Sequence, residues 1–447
     1  LLESQAEKRY LGCCLEVACE SLRPDLGGEQ VYITRVYLRD IRAFKRLEIE
    51  FDKPGSSALI VGDNGDGKST LLRCIAMGLC DESSAAALHR ELPGDFVRHG
   101  RKKGRIEIWL AASAQVSYRI VTTIKSLETF ERVQQRVFKV SKAGKKTPLK
   151  QDSFPWKNIF ASAYGAGIRT IGTGDFKSYQ AVDAVYPLFV YSVPLQNPEL
   201  VVRRLIEAAR EARSGSPREK QVAAETQLSQ IKNLLATMLN LNSPDQVILT
   251  STGIEIKGLE DRTELGALGD GYRATITWLV DLLSWWFLYK GTTSARIMPF
   301  GIILVDEVEQ HLHPRWQIRI MRLLCKVFPK LQIIATTHSP LVISGSKDLP
   351  IHRLDRGDHR VLNASGWRAE DVYRDVMGLA SSRPPPDLEL VEEYRRLRVL
   401  NLEGKASASD RATLRRLRRN LERDLSPTDP VLVTAELEAL GQFVKNG

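Results

Sequence analysis

The chain has no pair of cysteines at C-x-x-C spacing. Its six cysteines (Cys13, Cys14, Cys19, Cys74, Cys80 and Cys325) read as free, reduced thiols in preference to a disulfide framework or a thiolate metal site. No apolar run is long enough to span a bilayer. The longest, Ile276 to Tyr289, is interrupted by Asp281, so a membrane-embedded role is excluded. The opening residues, with Glu3, Glu7 and Lys8 after Leu1, lack the basic-then-apolar order of a signal peptide. No internal repeat is evident, which excludes a solenoid or propeller. These absences leave a cytoplasmic globular protein with no membrane partner as the expectation.

What is present fits that class. The 447 residues are 43% hydrophobic and 26% charged, enough to bury a large core in two or three ordinary domains or in one head interrupted by insertions. The formal charge of +10 permits contact with a polyanion. The basic runs Arg98 to Arg105 and Lys139 to Lys150 read equally well as solvated loops.

The pattern divides the chain into an N-terminal appendage (1–29), a head (30–382) and a helical tail (383–447). Strand-like runs at Val31–Leu38, Leu47–Phe51 and Ala58–Val61 precede a helix at Ser69–Leu79. Runs at 105–110, 117–124 and 133–140 predict an antiparallel side sheet. Residues 198–245 form a helical insertion, broken at Ser214-Gly215-Ser216-Pro217 with Ser216 as a cap. A hairpin over Val247–Lys257 and an apolar helix from Tyr272 to Lys290 come next. The apolar runs Gly301–Val305 and Leu331–Ala335 flank a helix expected over Pro314–Phe328, the strand-helix-strand order of a parallel sheet. The fold class is therefore α/β.

Gly62-Asp63-Asn64-Gly65-Asp66-Gly67-Lys68-Ser69 satisfies G-x-x-x-x-G-K-[ST] between an apolar strand and a helix. In such a loop the backbone N–H groups around Gly62, Asn64, Gly65, Gly67 and Thr70 curl around phosphate. Lys68 reaches the β/γ oxygens of ATP, and Ser69 holds Mg²⁺. The strand Ile302–Val305 delivers Asp306 and Glu307 at its end, where open α/β sheets place their ligands. Asp306 suits the Mg²⁺ shell and Glu307 suits polarising a water. Either acid alone reads as an exposed strand-end carboxylate; their pairing with the P-loop favours the catalytic reading. His338, in Thr336-Thr337-His338-Ser339-Pro340, follows the next apolar run and is expected at the same sheet edge as a γ-phosphate sensor.

With these residues in place, the segment from about 31 to 345 resembles the ABC-type ATPases of the RecF, SMC and OLD group. The likeness rests on Ile41-Arg42-Ala43-Phe44, the asparagine-containing P-loop, Asp306-Glu307-Val308-Glu309 running into Leu312-His313-Pro314, and Thr337-His338-Ser339-Pro340. It implies that Arg42 lies near the nucleotide. It also implies that two heads close around two nucleotides as a homodimer or higher homo-oligomer, a signature segment of one capping the γ-phosphate on the other. The candidate segment is Leu268-Gly269-Asp270-Gly271-Tyr272-Arg273, in which Gly271 and the helix start supply N–H donors. Gly269 stands where the family carries serine, and an ordinary glycine turn is the competing reading. Tyr164-Gly165-Ala166-Gly167 occupies the interval of the family's lid loop but has no glutamine.

Glu309-Gln310-His311-Leu312-His313-Pro314 replaces the segment a transporter would carry, and the long arms of SMC proteins are absent. The chain looks most like the compact ATPases of bacterial anti-phage defence systems, including the PtuA and PARIS types. That resemblance implies a regulatory ATPase that senses an invader or its DNA and controls a separate effector, often a nuclease. No nuclease motif is apparent in the chain itself. A RecF-like DNA repair ATPase and a nucleotide-dependent scaffold with negligible turnover are the alternatives. Six arginines between Arg411 and Arg423 read either as a partner or nucleic-acid stripe or as a solvated helix face.

Overall fold

The computed structural model describes residues 31–433, apart from 52, 54, 112–116, 168–170, 173–177, 214–217, 258–261, 291–299, 356, 380–384 and 427–428. The expected appendage at 1–29 and the cap at Ser216 lie outside the described residues. The chain separates into two compact units, dividing between Gly366 and Trp367.

In the first unit, strands β1 (Tyr32–Ile41), β2 (Phe44–Glu50) and β3 (Ala58–Val61) lead into helix α1 (Lys68–Gly78) and then α2 (Glu82–Arg90). Strands β4 (Lys103–Ala111), β5 (Ser117–Ser126), β6 (Glu131–Val140) and β7 (Lys146–Leu149) follow, then β8 (Ala161–Tyr164). Helices α3 (Pro198–Arg213) and α4 (Arg218–Met238) precede a small sheet of Val247–Leu249, Ile254–Lys257 and Arg262–Glu264. The unit continues with α5 (Asp270–Lys290), β9 (Phe300–Val305), α6 (Pro314–Gln317), α7 (Ile320–Val327), β10 (Lys330–Thr336), α8 (Pro340–Gly345), β11 (Ile351–Asp355) and β12 (Asp358–Leu362).

Two larger sheets enclose α1. The antiparallel sheet runs β2-β1-β4-β5-β6-β7, and the second runs β12-β11-β3-β10-β9-β8, parallel except for β12. Alternating burial in β1 and β6 marks the side sheet's single apolar face, whereas β3 and β9 are buried throughout, as strands covered on both faces must be. Every α1 residue except Ser69 is buried, in a core that takes in Ile106 and Ile108 of one sheet and Ile302, Leu304 and Ile334 of the other. The basic run 139–150 falls on the β6–β7 hairpin at the sheet edge, where its lysines project outward.

The helix expected over Pro314–Phe328 is two helices. It breaks at Ile318–Arg319, where Arg319 has φ −113° and ψ −20°. The Ile318 carbonyl abuts the backbone of Gly345 in α8, an approach that a side chain at 345 would prevent. The pair β11–β12, absent from the sequence reading, extends the parallel sheet beside β3.

Helix α5 is apolar on every side, burying Trp278, Trp285 and Trp286 to 2% exposure or less. Truncating any one to alanine would cost about 3–5 kcal/mol. Its single buried acid, Asp281, accepts from Tyr164 Oη at 2.8 Å and from Gln196 N at 2.9 Å, tying the helix to the end of β8. Burial pushes that carboxyl up to about 6.

The second unit contains helices α9 (Pro385–Leu402) and α10 (Ala408–Asp424). Ser407 caps α10 in a reciprocal box with Asp410. The unit has its own core of Val391, Tyr394, Leu397, Leu417, Leu421, Val431 and Leu432.

Candidate functional site

The P-loop joins β3 to α1. Gly67 precedes the helix with φ +93° and offers no side-chain cap, so the first-turn N–H groups have no side-chain acceptor from the cap. A Cβ there would stand 2.5 Å from Phe44 Cζ, so both conformation and space require glycine. Asp66 is buried and closes the loop by accepting from Asp63 N at 2.6 Å. Lys68 lies along the loop, its Nζ donating to Gly62 O and Asp63 O, both at 2.9 Å. Burial lowers the Lys68 pKa, opposed by the charges of Asp66, Asp306, Glu307 and Asp63. Asn64 and Gly65 are exposed at the loop's tip, Ser69 is half-buried and Thr70 is buried.

In the parallel sheet a single strand, β10, lies between the P-loop strand β3 and the acid strand β9. Its last residue, Thr336, organises the acids: the hydroxyl donates to Asp306 Oδ1 at 2.5 Å and accepts from Glu307 N at 2.8 Å. Asp306 is 1% exposed, and its Oδ2 has no protein partner among the described residues. A buried carboxylate oxygen left unpaired is costly, and a divalent cation satisfies it. The donor set of Asp306 with the Ser69 hydroxyl suits a hard cation such as Mg²⁺. Glu307 has φ +48°, a left-handed turn that lets the chain leave β9 immediately after the acid pair.

His338 follows β10 directly, and its N–H donates to Glu309 Oε1 at 2.6 Å. Burial first, and then the charge of Lys68, hold its imidazole below the ordinary range against Glu309, Asp306 and Asp63. Asp306 and Asp63 act on both Lys68 and His338, and Lys68 acts on His338, so P-loop, acid strand and His338 share one electrostatic neighbourhood.

Sequence reasoning missed two residues of this neighbourhood. For Thr336, a hydroxyl ending an apolar strand beside an acid strand is the available signal. Gln310 donates its side-chain amide to Ala166 O, while its Oε1 is buried without a protein partner among the described residues. It reaches from the acid loop into the glycine-rich lid interval, where no glutamine occurs in sequence. That interval also packs against Tyr191, whose hydroxyl accepts from Arg73 of α1 at 2.8 Å.

Two further expected residues have close contacts of their own. Arg42 has φ +39° at the β1–β2 turn, and its guanidinium donates to Pro93 O at 2.6 Å and Asp95 O at 3.3 Å while lying 4.8 Å over the Phe96 ring. Those contacts tie it to the 93–96 loop. Gly271, in the first turn of α5, packs so closely on the His311 carbonyl that no side chain fits. Gly269 is exposed, with open space where a side chain would stand.

Two family models match the chain: one described as an AAA domain over residues 35–244, the other as an AAA domain, putative AbiEii toxin, Type IV TA system, over residues 192–344. The chain is 24% identical to the Septu protein PtuA of Bacillus mycoides (strain KBAB4), over 85% of its own length and 49% of that protein. It spans half or less of the Septu relatives it matches. It is also 24% identical to the Retron Ec83 probable ATPase of Escherichia coli, covering 92% of this chain and 87% of that one. Among solved structures it is similar to the SMC head domain from Thermotoga maritima, with a TM-score of 0.41 and 15% identity over 74% of this chain and 98% of that one. The chain thus carries AAA-type ATPase domain matches over residues 35–244 and 192–344 and is homologous to the Septu protein PtuA and the Retron Ec83 probable ATPase.

Proposed function

We propose that the protein binds and hydrolyses ATP, that two copies close face to face when ATP is bound, and that closure controls a separate effector protein, such as a nuclease, in cytoplasmic anti-phage defence. The observation that best supports the chemistry is the strand-end cluster. Thr336 fixes one oxygen of Asp306 and the backbone of Glu307, with Lys68 and His338 in the same field.

In this reading the N–H groups of the Gly62–Thr70 loop and the start of α1 hold the phosphates, and Lys68 swings from its carbonyl partners to the β/γ oxygens. Ser69 and Asp306 hold Mg²⁺, which supplies charge neutralisation on the transferring phosphoryl group. Glu307 orients and polarises the attacking water. His338, kept neutral by burial and by Lys68, donates a hydrogen bond to the γ-phosphate and so distinguishes ATP from ADP. Gly271 and the first turn of α5 face the γ-phosphate held by the second copy. The defence role is supported by likeness to the Septu protein PtuA and the Retron Ec83 probable ATPase.

A second reading, a nucleotide-gated scaffold with little turnover, is favoured by Gly269, which removes the hydroxyl that would complete the cap on the partner's phosphate. Light scattering on Glu307→Gln separates the cases. A mass that doubles only with ATP·Mg²⁺ is the expected result; a mass indifferent to nucleotide would sink the closure cycle.

A further inference from the structure

The charge of the chain is unevenly spread. Between Arg395 and Asp424 there are ten basic and four acidic side chains, a surplus of six in 30 residues, whereas the preceding part of α9 carries the acids Asp387, Glu389, Glu392 and Glu393 and no base. Nine of the ten are arginine. All four acids are engaged locally: Glu403 with Lys405, Asp410 in the α10 capping box, Glu422 with Arg418 and Asp424 with Arg423. Arg411 also donates to Ala406 O at 2.8 Å. Arg395, Arg415, Arg416 and Arg419 are exposed and have no carboxylate partner among the described residues.

On α10, Leu417 and Leu421 point into the unit's core. At helical spacing Arg415, Arg416, Arg419 and Arg423 all fall within about 60° of the opposite direction. They make one outward stripe about 12 Å long, the length of roughly three phosphates along one strand of duplex DNA. Ala408 and Ala412 fall on the same pole, and Glu422, paired with Arg418, lies about 60° from it. A protein partner would want an apolar or aromatic anchor at the centre of such a face, and none is there. Planar guanidinium forks suit phosphate oxygens.

We propose that the outward face of α10, centred on Arg415, Arg416 and Arg419, binds the phosphodiester backbone of nucleic acid without reading its sequence. This site is independent of the ATP cluster, so either assignment stands if the other fails.

The test uses the full chain and a fluorescein-labelled DNA duplex of mixed sequence, titrated by anisotropy at several salt concentrations between about 50 and 200 mM. Replacing Arg415, Arg416 and Arg419 together by alanine is expected to weaken binding at least about tenfold and to flatten the slope of log K against log salt by roughly 2 to 3, the share of three phosphate contacts. Replacing the same three by lysine should keep most of the slope. All three side chains are exposed, so an unchanged thermal midpoint will certify that both variants fold. Binding and slope unchanged in the alanine variant would overturn the proposal, and so would polyglutamate competing as well as unlabelled DNA.

Discussion

The hydroxyl of Thr336 stands 2.5 Å from Oδ1 of Asp306, on the strand between the P-loop strand and the acid strand. Because the same oxygen accepts from Glu307 N, one side chain sets the orientation of both acids. Thr336→Val keeps the shape and removes both bonds. We expect ATP hydrolysis to fall by about 10- to 100-fold, the usual effect of losing a group that orients a metal-binding carboxylate. Stability should fall by about 1–3 kcal/mol from the unpaired buried groups. Steady-state turnover with a denaturant melt measures both; undiminished turnover would remove Thr336 from the site.

Gln310 joins the acid loop to the glycine-rich lid through Ala166 O. Gln310→Ala should lower kcat by about tenfold, as expected for loss of a positioning contact, with little change in the affinity for ATP. Gln310→Glu has nearly the same size but no donor for a carbonyl, so it should behave like the alanine variant. A glutamate variant with normal kcat would show that the amide is not used.

Gly269 is exposed, and a Cβ there meets nothing within 4 Å. Gly269→Ser should therefore leave stability within about 0.5 kcal/mol. If the signature segment caps a partner's phosphate, the added hydroxyl should raise turnover several-fold in a manner that depends on protein concentration. Unchanged turnover at every concentration would count against capping in trans.

The His352 and His359 side chains meet Nδ1 to Nε2 at 2.7 Å, with rings stacked at 13°, on the hairpin beside β3. Burial and the second imidazole push His352 down to about 4. The unfolded chain takes up this proton near pH 6.5, so folded stability declines as pH falls from about 6.5 to 4. Asp281, raised to about 6, has the opposite slope, gaining stability as pH falls from about 6 to the ordinary carboxyl range. Melts at pH 7 and 4.5 should therefore be compared with those of His352→Gln, whose acid loss should be smaller by on the order of 2 kcal/mol. Equal losses would mean that His352 is not held neutral.

Much of the site was legible because its signals are local. The P-loop needs its glycines at fixed spacing, and β3, β9 and β10 are short apolar runs that suit a sheet covered on both faces. What escaped the sequence depends on contacts between distant segments. The break at Ile318 is set by Gly345 of another helix. Arg42 is held by carbonyls some fifty residues on, and Gln310 finds its partner 144 residues back. Strand β12, exposed at three of its five positions and polar over its first three residues, carries too little hydrophobic signal to announce itself.

The parallel sheet also constrains the order in which the protein can be made. Strand β3 pairs only with β10 and β11, so the P-loop strand, complete by residue 61, has no neighbour until residues beyond 330 have been synthesised. Such distant pairings are slow to form, because loop closure precedes any reward from contact. A nascent chain therefore carries a phosphate loop without its acids, and competence for ATP arrives late, all at once. The same delay leaves both edges of β3 unpaired during synthesis. Expression at lower temperature, or with chaperones that shield strands, is accordingly the first remedy for material that aggregates before it folds.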